Sequence, residues 1–165
     1  MKDMFRFCPL CGAFLRKSRI DGQIRLVCSK CEWIRYRNPL SVTSCVVLNK
    51  KGKILVAKRN LDPGKGKWAL PGGFVELNET PEKSCLRELK EEIGIKGKII
   101  RLAGVYSHNT KEYGDLLIIG YLVNALEEKL KINNEVQEAK FVEKENIPYI
   151  PFLAHRKLIK DALAG

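Results

Sequence analysis

The chain has 165 residues, 45% of them apolar and 30% charged, with a formal net charge of +11. That length suits one good core plus a small annex, and the apolar share excludes a disordered chain. The longest apolar stretch, Leu116 to Val123, is broken by Gly120 and falls far short of the roughly 20 residues of a membrane helix; the N-terminus also lacks a signal-peptide pattern, so a cytoplasmic protein without membrane contact is expected.

Two Cys-x-x-Cys pairs, Cys8/Cys11 and Cys28/Cys31, open the chain, sixteen residues apart. Between them, Phe14 to Arg19 and Ile24 to Val27 read as short strands meeting at Asp21-Gly22, a hairpin signal. Four thiolates at this spacing fit a tetrahedral zinc site. Four cysteines close the coordination sphere, which makes the zinc structural, a staple for a segment too small to hold a core. Disulfide pairing is the alternative, and an intracellular setting disfavours it. Residues 1–37 also carry nine basic groups, Lys2 among them, against three acids. This excess attracts phosphates, on a small nucleotide or on RNA, or else keeps the surface soluble.

Arg35 to Leu40 reads as a connector. Val42 to Leu48 and Ile54 to Lys58 read as strands around the turn 49–52, and Leu61 to Lys67 as a Pro/Gly loop. Leu70-Pro71-Gly72-Gly73 is a tight turn able to bring bare carbonyls near a ligand. A helix follows, with Thr80 as cap, Pro81 in the first turn and Gly94 as stop. Ile99 to Ser107 and Leu116 to Asn124 are further strands, separated by a polar loop from His108 to Asp115; Val136 to Val142 is another. Pro151 introduces a last helix with Phe152, Leu158, Ile159, Ala162 and Leu163 as its apolar face. Strands around two helices predict an α/β layered domain. Cys45 and Cys85 read as small apolar core residues, and His108 and His155 lack a partner motif for catalysis.

Within the first helix Leu86, Leu89 and Ile93 share one stripe, while Glu88, Glu91 and Glu92, at i, i+3 and i+4, project from another face. Like charges so spaced repel by roughly 0.2–0.5 kcal/mol per pair. A cation must compensate. Arg87 and Lys90 on a solvated surface are one answer; a hard divalent ion held by carboxylates and a backbone carbonyl is the other.

Residues 73–95, GFVELNETPEKSCLRELKEEIGI, fill every specified position of G-x5-E-x7-R-E-U-x-E-E-x-G-U, with U a bulky aliphatic. The chain therefore resembles Nudix hydrolases. The resemblance implies an α/β/α sandwich with a mixed sheet over residues 38–165, preceded by a small zinc-ribbon domain over 1–37. It implies metal-dependent hydrolysis of a nucleoside diphosphate linked to another moiety. Mg²⁺ or Mn²⁺ would be held by Glu88, Glu91, Glu92 and the Gly72 carbonyl. Arg87 would orient the glutamates, pairing with Glu79. Glu91 or Glu92 would take the proton, or else a carboxylate from beyond the box, Glu135 with Glu138 as rival. By position and charge, Arg59, Lys65 and Lys67 are read as phosphate contacts, with Gly73 also meeting the substrate.

A ribbon ahead of the box is also similar to the architecture of NADH pyrophosphatases. Their SQPWPFPxS-like signature is missing, and Arg101 to Thr110 stands in its place. Val105-Tyr106-Ser107 looks more like ADP-ribose-type members, and Tyr113, 18 residues past the box, has a placement seen in diadenosine-polyphosphate hydrolases. An ADP-ribose-like substrate is the expectation. The alternatives are an NAD(H) or capped-RNA pyrophosphatase, or a non-catalytic nucleotide-sensing protein that binds nucleic acid. An RNA contact through the basic ribbon and a homodimer are compatible with all of these.

Overall fold

The computed structural model describes residues 5–164, so Lys2 and Asp3 lie outside it. The chain divides into two compact units, Met1–Pro39 and Leu40–Gly165.

In the first unit, β1 (Leu15–Ile20) and β2 (Gln23–Cys28) form an antiparallel hairpin, and β3 (Ile34–Arg35) adds a third strand to β2. The turn lies at Asp21-Gly22, both with positive φ. Ile34 and Arg35 therefore belong to the ribbon sheet, where the sequence suggested a connector at Arg35. Two paired residues are too few to leave a periodic signal.

The second unit is built on β4 (Leu40–Leu48), β5 (Ile54–Arg59), β6 (Trp68–Ala69), β7 (Gly97–Thr110), β8 (Gly114–Ala125) and β9 (Val136–Val142). Their order is β6-β5-β4-β8-β7, with β9 on the other edge of β5. β4 and β8 run parallel and the other pairs antiparallel, so the sheet is mixed. β7 and β8 pair from Gly97↔Ala125 to Thr110↔Gly114, leaving only residues 111–113 as a turn. The polar loop expected over His108 to Asp115 is thus mostly strand, because ladder pairing outweighs the weak β-propensity of Asn109 and Asp115.

Helices cover both faces, and strand alternation sorts the core between them. Cys45, Val47, Leu55, Ala57, Tyr121 and Val123 pack with Cys85, Leu89 and Ile93 of α1 (Pro81–Ile93). Val46, Ile54, Val56 and Leu122 point the other way, onto Leu158, Ile159 and Ala162 of α2 (Leu153–Leu163). The result is an α/β/α sandwich. Leu163, expected on the apolar face, is instead 40% exposed at the helix end. Cys45 and Cys85 are fully buried, as small apolar residues would be. α1 begins where Thr80 accepts a hydrogen bond from the Lys83 N–H (3.3 Å) and ends at Gly94, whose N–H reaches Lys90 O (3.0 Å). Arg101 donates to the Asp161 and Ala162 carbonyls, satisfying the C-terminal end of α2.

Candidate active site

β4 and β5 share a single registered pair, Leu48↔Ile54, so β4 has a free edge beyond it. The 71–75 segment takes that edge: Cys45 N–H donates to Pro71 O (3.0 Å), Thr43 N–H to Gly73 O (2.8 Å) and Val75 N–H to Ser41 O (3.0 Å). These bonds use the carbonyls on either side of Gly72. Among the described residues, the Gly72 carbonyl itself accepts no hydrogen bond. Gly72 sits at φ 149°, and a Cβ there would overlap the Thr43 carbonyl and approach Ser44 Cα to 2.7 Å, so only glycine fits. A Cβ at Gly73 would overlap the Glu88 carboxylate. The glycine turn is thus the seat on which the helix carboxylates rest.

Glu88, Glu91 and Glu92 occupy different surroundings. Glu92 is 9% exposed and accepts from the Gly72 N–H (3.0 Å). Burial pushes its carboxyl up to about 7 against that hydrogen bond, with the neighbouring Glu88 charge adding to the rise. Glu88 is partly buried, and desolvation raises its pKa too, opposed by Arg87. Glu91 is exposed. Arg87 ties the set together: Nε and Nη2 grip Glu79 (2.9 and 3.0 Å), and Nη1 donates to Glu88 (2.8 Å) and Glu91 (2.9 Å). This fork holds the Glu79 carboxyl below its usual range and raises the pKa of Arg87. The Arg87–Glu79 pair expected from the sequence is present.

These groups open onto a cleft of about 710 Å³ lined by Arg59, Gly72, Gly73, Arg87, Glu88, Glu91, Glu92 and Glu135. Glu135 stands near enough that its charge raises both Glu88 and Glu92. Its rival Glu138 lies off the cleft wall and pairs with Lys140 (2.9 Å). Arg59 donates through Nε to Pro63 O (2.9 Å). Lys65 and Lys67 are exposed in the β5–β6 turn and do not line the cleft. Phe74 and Tyr113 meet edge to face at its mouth, with ring centroids 5.2 Å apart. His108 and His155 also line it. No sequence signal marks His155, because its partner is the Leu70 N–H, 85 residues away.

Two desolvated carboxylates beside an unpartnered backbone carbonyl form an oxygen donor set that fits a hard divalent cation. The ribbon offers the opposite chemistry. The Cys8, Cys11, Cys28 and Cys31 sulfurs all lie within 4.8 Å of one another, at separations of 3.4–3.7 Å where they touch. A tetrahedron with Zn–S bonds of about 2.3 Å has sulfur edges of about 3.8 Å, so the set fits zinc. None is in a disulfide. The Lys30 and Cys31 N–H groups each donate to Cys28 Sγ at 3.3 Å and hold its thiol down at about 6.

The NUDIX domain model matches residues 38–162, and the Nudix N-terminal model, a zinc ribbon, matches residues 6–37. The chain belongs to the Nudix family. This Nudix hydrolase is 40% identical to an ADP-ribose pyrophosphatase of Methanocaldococcus jannaschii over 116 residues, 70% of this chain and 68% of that protein. It is 28% identical to the NAD-capped RNA hydrolase NudC of Vibrio vulnificus over 90% of this chain and 54% of that one. The crystal structure of a NUDIX hydrolase from Nitrosomonas europaea superposes with a TM-score of 0.81 at 29% identity, covering 94% of this chain and 89% of that chain. Among the described residues no helix is long and apolar enough to cross a membrane.

Proposed function

We propose that this Nudix hydrolase cleaves the diphosphate of ADP-ribose or a close analogue, with Mg²⁺ or Mn²⁺ at Glu88, Glu91, Glu92 and the Gly72 carbonyl. The observation that carries this is the buried Glu92 and half-buried Glu88 packed against a glycine turn whose Gly72 carbonyl accepts no hydrogen bond among the described residues. The 40% identity to a protein named ADP-ribose pyrophosphatase supports the choice of substrate. The domains are 1–37, stapled by zinc on Cys8, Cys11, Cys28 and Cys31, and 38–165.

When bound, the divalent cation neutralises the diphosphate and acidifies water. The residues of the chain do the rest. Arg87 spreads one guanidinium over Glu79, Glu88 and Glu91, which keeps the carboxylates oriented and limits their repulsion. Gly72 N–H orients Glu92. Water attacks phosphorus in line, its proton passes to the Glu135 carboxylate, and the P–O bond to the leaving phosphate breaks, so ADP-ribose gives AMP and ribose 5-phosphate. Arg59 and the Gly73 backbone border the diphosphate.

The test is a product assay over a nucleotide panel with Mg²⁺ and Mn²⁺, comparing wild type with Glu91→Gln and Glu92→Gln. Variants as fast as wild type would remove the site assignment; ADP-ribose left intact while another nucleotide is cleaved would remove the substrate.

A second reading, hydrolysis of a capped RNA end, is favoured by the ribbon. Phe7 and Phe14 are exposed with ring centroids 4.8 Å apart, and Arg35 and Arg25 lie over Phe5 and Tyr36. Aromatic faces among arginines suit stacked bases and phosphates. A salt-dependent affinity for single-stranded RNA that competes with ADP-ribose turnover would support it.

A further inference from the structure

His155 lies in the first turn of α2, and its Nδ1 accepts the backbone N–H of Leu70 at 3.1 Å. That bond requires a bare Nδ1, so the ring proton sits on Nε2. Among the described residues Nε2 has no hydrogen-bond partner, and it is not sealed from solvent. The ring lines the cleft. Phe152 packs beside it, with ring centroids 5.3 Å apart, and a Cβ at Gly64 would come within 2.8 Å of Phe152 and 3.6 Å of Arg59 Cδ. The wall is therefore close-packed and the imidazole is held in place.

Arg59 lines the same cleft as this ring and the carboxylates, near enough that its charge lowers the pKa of both Glu92 and His155. Nε of Arg59 is committed to Pro63 O, and its terminal nitrogens make no hydrogen bond among the described residues. The wall thus offers donors with no acceptor in the protein: the outer end of a guanidinium and an imidazole N–H. Buried or half-buried donors left without acceptors are costly unless a ligand or water supplies one.

We propose that His155 Nε2–H, together with Arg59, is a fixed receptor for an oxygen of the substrate's diphosphate, a positioning contact at a residue no motif marks. It rests on the reading of this cleft as a diphosphate hydrolase site. Burial, Arg59 and His108 push the imidazole down to about 4, so it remains neutral at physiological pH. With Nδ1 occupied and Nε2 already protonated, the ring can neither take a proton from water nor give one up readily. Its part is binding, and proton transfer stays with the carboxylates.

The experiment compares His155→Asn with His155→Gln. Asparagine places an acceptor where Nδ1 was, keeping the Leu70 bond, and removes the cleft donor. Glutamine extends an amide N–H toward the position of Nε2. Affinity for ADP, and for inorganic pyrophosphate, is measured by calorimetry with Ca²⁺, alongside steady-state kinetics. We expect His155→Asn to weaken both ligands by about tenfold, equivalent to about 1.4 kcal/mol, to raise KM by a similar factor with kcat within about twofold, and to leave the shape of the pH–rate profile unchanged. His155→Gln should restore binding to within about threefold. Unchanged affinity in His155→Asn overturns the proposal. So does the loss of one limb of its pH profile, or an equal loss in both variants accompanied by a lowered Tm. ADP and pyrophosphate are common to any nucleoside-diphosphate substrate. Weakened binding without ADP-ribose turnover would therefore remove the substrate assignment and leave the receptor intact.

Discussion

The four ribbon sulfurs converge on one point, whereas Glu88, Glu91 and Glu92 do not. Among the described residues the cysteine set alone gathers three or more ligand atoms within 4.8 Å. Thiols are neutral as well as soft, so four can crowd together, and the Lys30 and Cys31 N–H groups favour the thiolate of Cys28, the form a zinc ion would take. Carboxylates brought as close would repel. Glu92 is therefore turned to Gly72 N–H, Glu91 lies out on Arg87, and Glu88 bridges the two environments. The cysteine cluster is pre-assembled by its fold. The carboxylate set is only pre-positioned, with an internal guanidinium holding part of its charge.

That contrast breaks most visibly at the ribbon. Replacing Cys8 and Cys28 together by serine should remove zinc and unfold residues 6–37, since structural zinc supplies about 10–16 kcal/mol to such units. The NMR spectrum should lose the dispersed ribbon amides and keep those of the second unit, which has its own core. Collapse of both sets would show that the units share one folding transition.

Glu92→Gln is the matching change in the second unit. The amide can still accept from Gly72 N–H, so the fold should stand, while turnover falls roughly 10³-fold, about 4 kcal/mol of barrier. Tm without metal should hold or rise, because a buried charge is gone. A lowered metal-free Tm would mean that Glu92 is chiefly a structural residue.

Between these lies the acid response of His155, where the cleft excludes charge instead of pairing it. Its folded pKa of about 4 is below the ordinary 6.5, so the unfolded chain binds the extra proton. The contribution is complete above 6.5 and lost as pH falls to about 4, to the extent of about 3 kcal/mol. Glu92, raised to about 7, acts with opposite sign in much of this window. The quantity to measure is therefore the difference between wild type and His155→Asn in urea unfolding at pH 7 and pH 4.5. Parallel pH dependences would contradict a neutral His155.

The smallest effect is expected from Arg87→Lys. Lysine keeps the charge but loses the fork that serves Glu79, Glu88 and Glu91 together, which should cost about 1–2 kcal/mol in metal-free protein. Added Mg²⁺ should recover part of the lost Tm. No recovery would indicate that Arg87 and the cation do not share the same carboxylates.

Much of this was legible in the chain. Thr80, Pro81 and Gly94 bound α1 because capping is local chemistry. The Nudix box and the two Cys-x-x-Cys pairs name their residues through short, fixed spacings. Periodicity also located β4, β5, β8, β9 and α2 to within a few residues. Other features left no local trace. β3 and β6 are two-residue strands that exist only by pairing with β2 and β5. The hairpin of β7 and β8 runs into His108, Asn109 and Asp115 because its partner strand does. The helix pattern alone put Glu88, Glu91 and Glu92 on one common face, while their burial differs with what packs on each.

The order of residues thus settled which side chains are the candidates to hold metal, how the helix that bears the glutamates begins and ends, and that a four-cysteine cluster precedes it, because those depend on neighbours a few positions apart. Packing decided that Glu92 is buried, that Glu135 and not Glu138 borders the cleft, that Lys67 stays outside it, and that His155 keeps its proton on Nε2. Each of these depends on groups tens of residues away in the chain, brought near only when the sheet and its two helices close.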